Sequence, residues 1–293
     1  MPNEIDRIVI FGHTGFIGRH LERFLKEKHP ELEIIGASLP SVDLTKDSAP
    51  VKGLFGMKTA VIMLSALKRE HGDNLDNFLK NVKMAVNVCK QIENNPVKRF
   101  IYFSSAAVYG EDVQNLSINE DSPVTPTTYY GIAKHSCERL LRKATGSGKG
   151  SALTILRPPI IYGPGDNSGY SPSGFAKTAM RGETIKLWGD GTEKREFIFV
   201  EDVARAVEKL VLNNHDCTLN LASGKSYTFA EIIDELSKLT NSEIKVESRK
   251  RTKEKADHGF ENTALLKVFP EFSFTPLSEG LKKTIDAIKG GTE

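Results

Sequence analysis

Within the first twenty residues an apolar run meets a close series of glycines. Arg7-Ile8-Val9-Ile10-Phe11 is followed by Gly12-His13-Thr14-Gly15-Phe16-Ile17-Gly18. A short continuous apolar run ended by glycine reads as a strand buried on both faces, the kind a parallel sheet between helices provides. Residues 15–28 then carry Ile17, Leu21, Phe24 and Leu25 on one helical face. A strand that turns tightly into a helix through glycines lets backbone N–H groups approach a phosphate, which the positive helix N-terminus favours. Gly12, Thr14, Gly15, Phe16, Ile17 and Gly18 are therefore the first candidates for holding the pyrophosphate of a dinucleotide.

The same alternation continues. Further strands are expected over Glu33–Gly36, Ala60–Leu64, Arg99–Phe103 and Leu153–Leu156, with helices at 74–94 and 128–144. After Tyr162 the texture changes to loops rich in Gly and Ser, a helix at 173–181 and a turn at Gly189-Asp190-Gly191. Val200–Leu212 reads as a helix, Leu219–Leu221 as a strand returning to the main sheet, and 229–240 and 277–289 as amphipathic helices. The basic section 245–255 reads as a solvated loop, some of whose arginines could face an anion. The expected class is α/β: a doubly wound parallel (Rossmann) sheet over 1–161 plus 197–223. A smaller α/β C-terminal substrate-binding domain would take 162–196 plus 224–289.

Charge excludes one class of partner. Lys and Arg number 40 against 38 Asp and Glu, and the basic section is interrupted by Glu247 and Glu254, so nucleic acid is not expected. Cys89, Cys137 and Cys217 are odd in number and far apart, and read as reduced residues with no disulfide frame and no metal. The N-terminus lacks the charged and apolar regions of a signal peptide. No run approaches the roughly 18 apolar residues of a membrane span. The expected location is the cytoplasm.

Dinucleotide folds that select NAD usually place an acidic residue at the end of the second strand, on the ribose 2′-hydroxyl. Here that stretch is Ile34-Ile35-Gly36-Ala37-Ser38, without a carboxylate. Ser38 could accept a 2′-phosphate, with His13 or Arg19 nearby, which favours NADP with NAD as the alternative. Asp43-Leu44 follows, where Asp43 is either a partner of the adenine amino group or a turn residue.

Tyr130 and Lys134 lie four apart on a predicted helix and share a face. An ammonium beside a phenol favours the phenolate, which is expected to lower the tyrosine pKa from about 10 and suit it to acid–base work. Ser104-Ser105 stand at the end of a predicted strand, where a parallel sheet gathers its ligand contacts. A serine hydroxyl there can hold the oxygen that Tyr130 protonates or deprotonates.

These segments carry a resemblance. Gly12–Gly18, Ser104-Ser105-Ala106-Ala107-Val108-Tyr109-Gly110, Tyr130-Gly131-Ile132-Ala133-Lys134, Leu156-Arg157-Pro158 with Tyr162–Gly165, and Arg195 to Ala204 occur in the order of the extended short-chain dehydrogenase/reductase family. They resemble its nucleotide-sugar epimerases, dehydratases and 4-ketoreductases. The resemblance implies that Tyr130 is the acid/base, that Lys134 orients the nicotinamide ribose and tunes Tyr130, and that Ser105 holds the reacting oxygen. It places Leu64-Ser65-Ala66, Lys68, Asn81 and Pro158 against the cofactor. Ser105, Ala106, Asn167, Arg195 and Arg251 fall on the substrate side. Arg195 matches a diphosphate-binding arginine, while Arg251-Thr252-Lys253-Glu254 matches the second such segment only at its arginine, with Arg249 the rival. It also implies a homodimer through helices 74–94 and 128–144.

Departures narrow the chemistry. Dehydratases of this family place acidic residues where Ala106 and Ala107 stand, and the GDP-fucose synthases a cysteine at Ala107. The expectation is therefore an NAD(P)-linked hydride transfer, foremost reduction of a 4-keto group on a nucleotide-linked 4-keto-6-deoxyhexose. A UDP-hexose-type 4-epimerase acting through a transient ketone is the alternative. A non-catalytic NADP-sensing protein is the remote third reading, at odds with the retained Ser105, Tyr130 and Lys134.

Overall fold

The computed structural model describes residues 5–47, 51, 53–146, 150–251 and 254–291. Its first elements are β1 (Arg7–Phe11), α1 (Phe16–Lys28), β2 (Glu33–Ala37), β3 (Thr59–Met63), α2 (Leu75–Asn94) and β4 (Arg99–Phe103). Then come β5 (Asn115–Ile118), α3 (Tyr129–Thr145), β6 (Ala152–Arg157), β7 (Ile160–Tyr162), α4 (Ser173–Met180), β8 (Ile185–Trp188) and β9 (Lys194–Phe199). The remainder is α5 (Val200–Leu212), β10 (Cys217–Asn220), β11 (Ser226–Thr228), α6 (Phe229–Thr240), β12 (Val246–Arg249), β13 (His258–Phe260), α7 (Thr263–Val268) and α8 (Leu277–Lys289).

Contacts divide the chain into two compact units: 1–111, 122–158 and 203–219 form the first, and 112–121, 159–202 and 220–293 the second. The main sheet has the order β10-β6-β4-β3-β1-β2. The pairs β1/β2, β1/β3, β3/β4 and β4/β6 are all parallel. Sequence neighbours β2 and β3 lie on opposite sides of β1, so the strand order reverses there. Loops leaving the carboxyl ends of β1 and β3 therefore frame the ligand crevice of this architecture. The first unit's core takes Val9 and Phe11 from β1, Val61 and Met63 from β3, Phe100 and Tyr102 from β4, and Val88, Cys137 and Leu141 from α2 and α3. Each such buried side chain contributes about 1.5–3 kcal/mol relative to exposure.

In the second unit β9 is central to a three-stranded sheet, antiparallel to β11 and parallel to β7. Its core joins Tyr162, Phe197, Phe199, Ile232, Leu236, Leu281 and Ile285. The expected loop at 245–255 needs correction: Val246–Arg249 is a strand, parallel to β8 in the register Glu247↔Lys186 and Arg249↔Trp188. Its four residues are all exposed, so no alternation betrayed it. Among the described residues no helix is long and apolar enough to cross a membrane. Cys89 and Cys137 are buried and Cys217 half-buried, all as thiols.

Candidate active site

The first and last glycines of the turn are closed to any side chain. Gly12 has φ +91°, and a Cβ there would stand 2.9 Å from the Ser65 backbone nitrogen. One on Gly18 would fall 2.3 Å from the Gly12 carbonyl oxygen. Leu64 and Ser65 donate their N–H groups to the Phe11 carbonyl at 2.9 and 3.1 Å, which lays the Leu64-Ser65-Ala66 segment beside the turn. Helix α2 is capped by Asn74 and α3 by Thr128, whereas α1 starts at Gly15 with no capping side chain and no acid in its first turn. The amides at Phe16, Ile17 and Gly18 head a bare positive helix end. These residues fit a dinucleotide pyrophosphate: close backbone approach is built in, and nothing in the first turn competes with an anion.

Around the turn, Thr14 donates its N–H to Ser38 Oγ at 3.5 Å, and Arg19 donates to the Thr14 carbonyl at 3.1 Å. The His13 ring lies on Gly36, where a Cβ would come within 2.4 Å of it. Asp43 is taken up by its own turn. Its Oδ1 accepts from Thr45 Oγ1 at 2.6 Å and Thr45 N at 3.0 Å, and these bonds hold its pKa below the usual carboxylate value. The Leu44 side chain belongs to the core instead of a ligand surface, and its carbonyl accepts from Asn87 at 2.9 Å. Asn81 is buried, with both ends of its amide bonded to the Leu67 backbone at 2.8 and 3.0 Å. It fixes the 64–68 segment. Lys68 is exposed and lies 3.4 Å from Glu70.

Ser105, Tyr130 and Lys134 converge at the carboxyl end of β4. The α3 helix begins where the Thr128 hydroxyl accepts the Gly131 N–H at 3.0 Å, and Asp73 accepts the Tyr130 N–H at 3.0 Å. Tyr130 and Lys134 therefore face the strand ends from the first turns of one helix. The Ser105 hydroxyl accepts the Ala107 N–H at 3.2 Å and acts on the Tyr130 phenol from close by. Lys134 is buried, donates to the Phe103 carbonyl at 2.6 Å, and sits 5.0 Å from the Tyr102 ring centre and 5.7 Å from that of Tyr130. The Ala106 N–H donates to the Pro158 carbonyl at 2.9 Å, joining the Ser105 segment to the end of β6.

One expectation is overturned here. The Tyr130 pKa is not lowered. Burial pushes it up to about 12; the neighbouring Ser105 hydroxyl works against this, while the nearby carboxylates of Glu111 and Glu70 add to the rise. Lys134 does not supply the expected compensation: burial brings it down to about 8, partly opposed by Cys137 and Glu138. Desolvation outweighs the i,i+4 charge effect on which the spacing argument relied. Tyr130 is therefore a protonated donor at neutral pH.

Behind these groups lies a buried network that sequence reasoning missed. Glu138, one turn beyond Lys134, accepts from Arg157 Nε at 3.0 Å and Nη2 at 2.8 Å, and from Ser104 Oγ at 2.5 Å. Arg157 also donates to the Tyr109 hydroxyl at 3.0 Å and lies 5.0 Å from that ring. The pair ties α3, which carries Tyr130 and Lys134, to the strand ends that carry Ser105 and Pro158. The available signal was Glu138 extending the Tyr130–Lys134 stripe by one more helical turn.

Of the expected substrate residues, Ser105 and Ala106 lie in the first unit, and Asn167, Arg195 and Arg251 in the second. Exposed Asn167 accepts from Lys177 at 2.8 Å. Arg195 and Arg251 both bond the carboxylate of Glu193. Arg249 instead lies 5.8 Å from the exposed Trp188 ring. Thr252 and Lys253 lie outside the described residues.

Comparisons with known proteins extend over most of the chain. A family model described as the NAD dependent epimerase/dehydratase family matches residues 8–222. The chain is 26% identical over 274 residues to GDP-mannose 3,5-epimerase 1 of Oryza sativa subsp. indica, covering 84% of this chain and 71% of the relative. It is 27% identical over 250 residues to GDP-6-deoxy-D-talose 4-dehydrogenase of Aggregatibacter actinomycetemcomitans, covering 82% of each. The fold is similar, at TM-score 0.86 and 24% identity, to UDP-N-acetylglucosamine 4-epimerase from Methanobrevibacter ruminantium M1 in complex with UDP-N-acetylmuramic acid, covering 98% of this chain and 99% of that one.

Proposed function

We propose a specific reaction for this chain, which belongs to the NAD dependent epimerase/dehydratase family and is an NAD(P)-dependent enzyme: reduction of the 4-keto group of a nucleoside-diphosphate-linked 4-keto-6-deoxyhexose. The observation that carries it is the Ser105–Tyr130–Lys134 group followed by Ala106 and Ala107. When bound, the nicotinamide dinucleotide supplies the hydride. Tyr130, protonated at neutral pH, gives its proton to the oxygen that becomes negative as the carbonyl is reduced. The Ser105 hydroxyl holds that same oxygen by hydrogen bonding. Lys134 places its ammonium 5.7 Å from the centre of the tyrosine ring. With alanines at 106 and 107, this segment offers no carboxylate to remove a carbon-bound proton, which a dehydratase needs. The relative named as a 4-dehydrogenase of a GDP-linked 6-deoxysugar supports carbon 4 as the reacting centre.

A 4-epimerase would use the same three residues, and the 4-epimerase from Methanobrevibacter ruminantium M1 shares the fold. Purified protein mixed with NADPH and a GDP- or UDP-4-keto-6-deoxyhexose separates the two. Stoichiometric loss of NADPH absorbance supports the reductase. Retained NAD with interconversion of 4-epimers and no net cofactor consumption refutes it.

NADP is the favoured cofactor, because Gly36-Ala37-Ser38 offers no carboxylate to repel a 2′-phosphate. Equal affinity for NADH and NADPH would remove that preference. The substrate diphosphate is assigned to Arg195 and Arg251, and the location to the cytoplasm. The chain is further assigned as a homodimer through α2 and α3, whose Leu75, Leu79, Tyr129 and Ile132 are exposed apolar residues. Leu79→Glu should then sediment as a monomer.

A further inference from the structure

We propose that Glu193 is an internal anion that occupies the Arg195–Arg251 pair, excludes single phosphates, and yields the site to a nucleoside diphosphate. This rests on the assignment of those two arginines to the substrate diphosphate.

The second unit builds this cluster deliberately. One oxygen of Glu193 bonds Arg195 Nη2 and the other bonds Arg251 Nη1. The three side chains are 13%, 20% and 22% exposed, so the cluster is recessed but open to solvent. Arg195 is set by donating to the carbonyls of Lys194, at 3.0 Å, and Ala256. Arg251 lies over Gly189, at φ +79°, where a Cβ would come within 2.2 Å of Nε. Only glycine leaves room for the guanidinium there.

The arrangement is incomplete in hydrogen bonding. Both guanidiniums bond the Glu193 carboxylate, Asp190 and Asp257 act on Arg251 and Arg195 from farther off, and Arg251 Nη2 is buried with no acceptor among the described residues. A buried donor of this kind marks a place where an acceptor belongs. Glu193 supplies two oxygens and one negative charge, and both oxygens are in use. A diphosphate brings two phosphoryl groups, one for each guanidinium, with oxygens left for the orphan N–H. It can replace the carboxylate at both arginines together. A monophosphate that neutralises one guanidinium faces Glu193 still held on the other, with like charges adjacent. The carboxylate thus sets a threshold that two linked phosphates pass and one does not.

Calorimetry on the full chain tests this with UDP, GDP and the matching monophosphates, on wild type, Glu193→Gln, Glu193→Ala and Arg195→Met. Each charge-assisted bond is worth about 1.5–3 kcal/mol, so freeing the arginines should tighten monophosphate binding by about tenfold or more. Diphosphate binding should gain less, so the preference for it narrows in both Glu193 variants. Arg195→Met should weaken diphosphate binding by a similar factor. If Arg195→Met weakens binding but neither Glu193 variant tightens the monophosphates, Glu193 is a support for the arginines and the proposal is wrong. If Arg195→Met leaves diphosphate affinity unchanged, the arginine assignment itself fails, and the proposal with it. Two substitutions at Glu193 guard against one that misfolds.

Discussion

Replacing Arg157 by Met strands a carboxylate inside the first unit. The side chains of Glu138 and Arg157 are 4% and 8% exposed. Arg157→Met removes both Arg157 bonds to Glu138, at 3.0 and 2.8 Å, and leaves the Ser104 hydroxyl at 2.5 Å and His135 Nδ1 at 3.5 Å beside it. Breaking a buried pair from one side costs about 3–5 kcal/mol, because the remaining charge stays desolvated. For a chain of this size that is a fall in melting temperature on the order of 10 °C. The double variant Glu138→Met/Arg157→Met removes both charges and should recover most of the loss. Thermal and urea unfolding of the three proteins measures this. Arg157→Met within 0.5 kcal/mol of wild type, or a double variant no more stable than the single, would refute the reasoning. Because the pair also holds Ser104 and Tyr109, the double variant should regain stability while its turnover stays below wild type.

Two further outcomes follow from the geometry. Gly18→Ala puts a methyl 2.3 Å from the Gly12 carbonyl oxygen, a backbone atom that cannot step aside. It should abolish measurable NADPH or NADH binding in fluorescence titration, and unaltered affinity would contradict the cradle. Lys134, whose pKa is brought down to about 8, sheds its proton in the folded state before the unfolded chain does near 10.5. Between pH 8 and 10 the unfolded state binds more protons, so this residue makes stability rise with pH, by on the order of 2 kcal/mol. Above pH 10 the raised pKa of Tyr130, about 12, acts in the opposite sense. Lys134→Met should lack the rise between pH 8 and 10 in urea unfolding, and an identical profile would contradict the burial argument.

What could be read from the sequence follows from the range of the forces involved. Val200–Leu212, Phe229–Thr240 and Leu277–Lys289 were legible to the residue because a helix writes its core face within its own segment. The pairs β5/β13 and β8/β12 were not. Each strand has only three or four residues, and β5 finds its partner more than a hundred positions away. The catalytic triplet was legible because Tyr130 and Lys134 share a helix and Ser105 ends a strand. The pKa of Tyr130 was misjudged because the spacing shows the lysine but not the enclosure, nor Glu70 and Glu111. Glu138–Arg157 and the Glu193 clamp escaped notice for a related reason. A lone charge in a sequence reads as solvated until the fold supplies its partner.

The central claim is that Tyr130 delivers the proton in a hydride transfer on a carbonyl. Single-turnover oxidation of bound NADPH by an NDP-4-keto-6-deoxyhexose, followed at its absorbance, tests this in wild type and Tyr130→Phe. A positioned acid contributes about 10²–10⁴-fold. The variant should bind NADPH as wild type does and transfer hydride slower by that factor. Wild-type rates in Tyr130→Phe would contradict the account at its root.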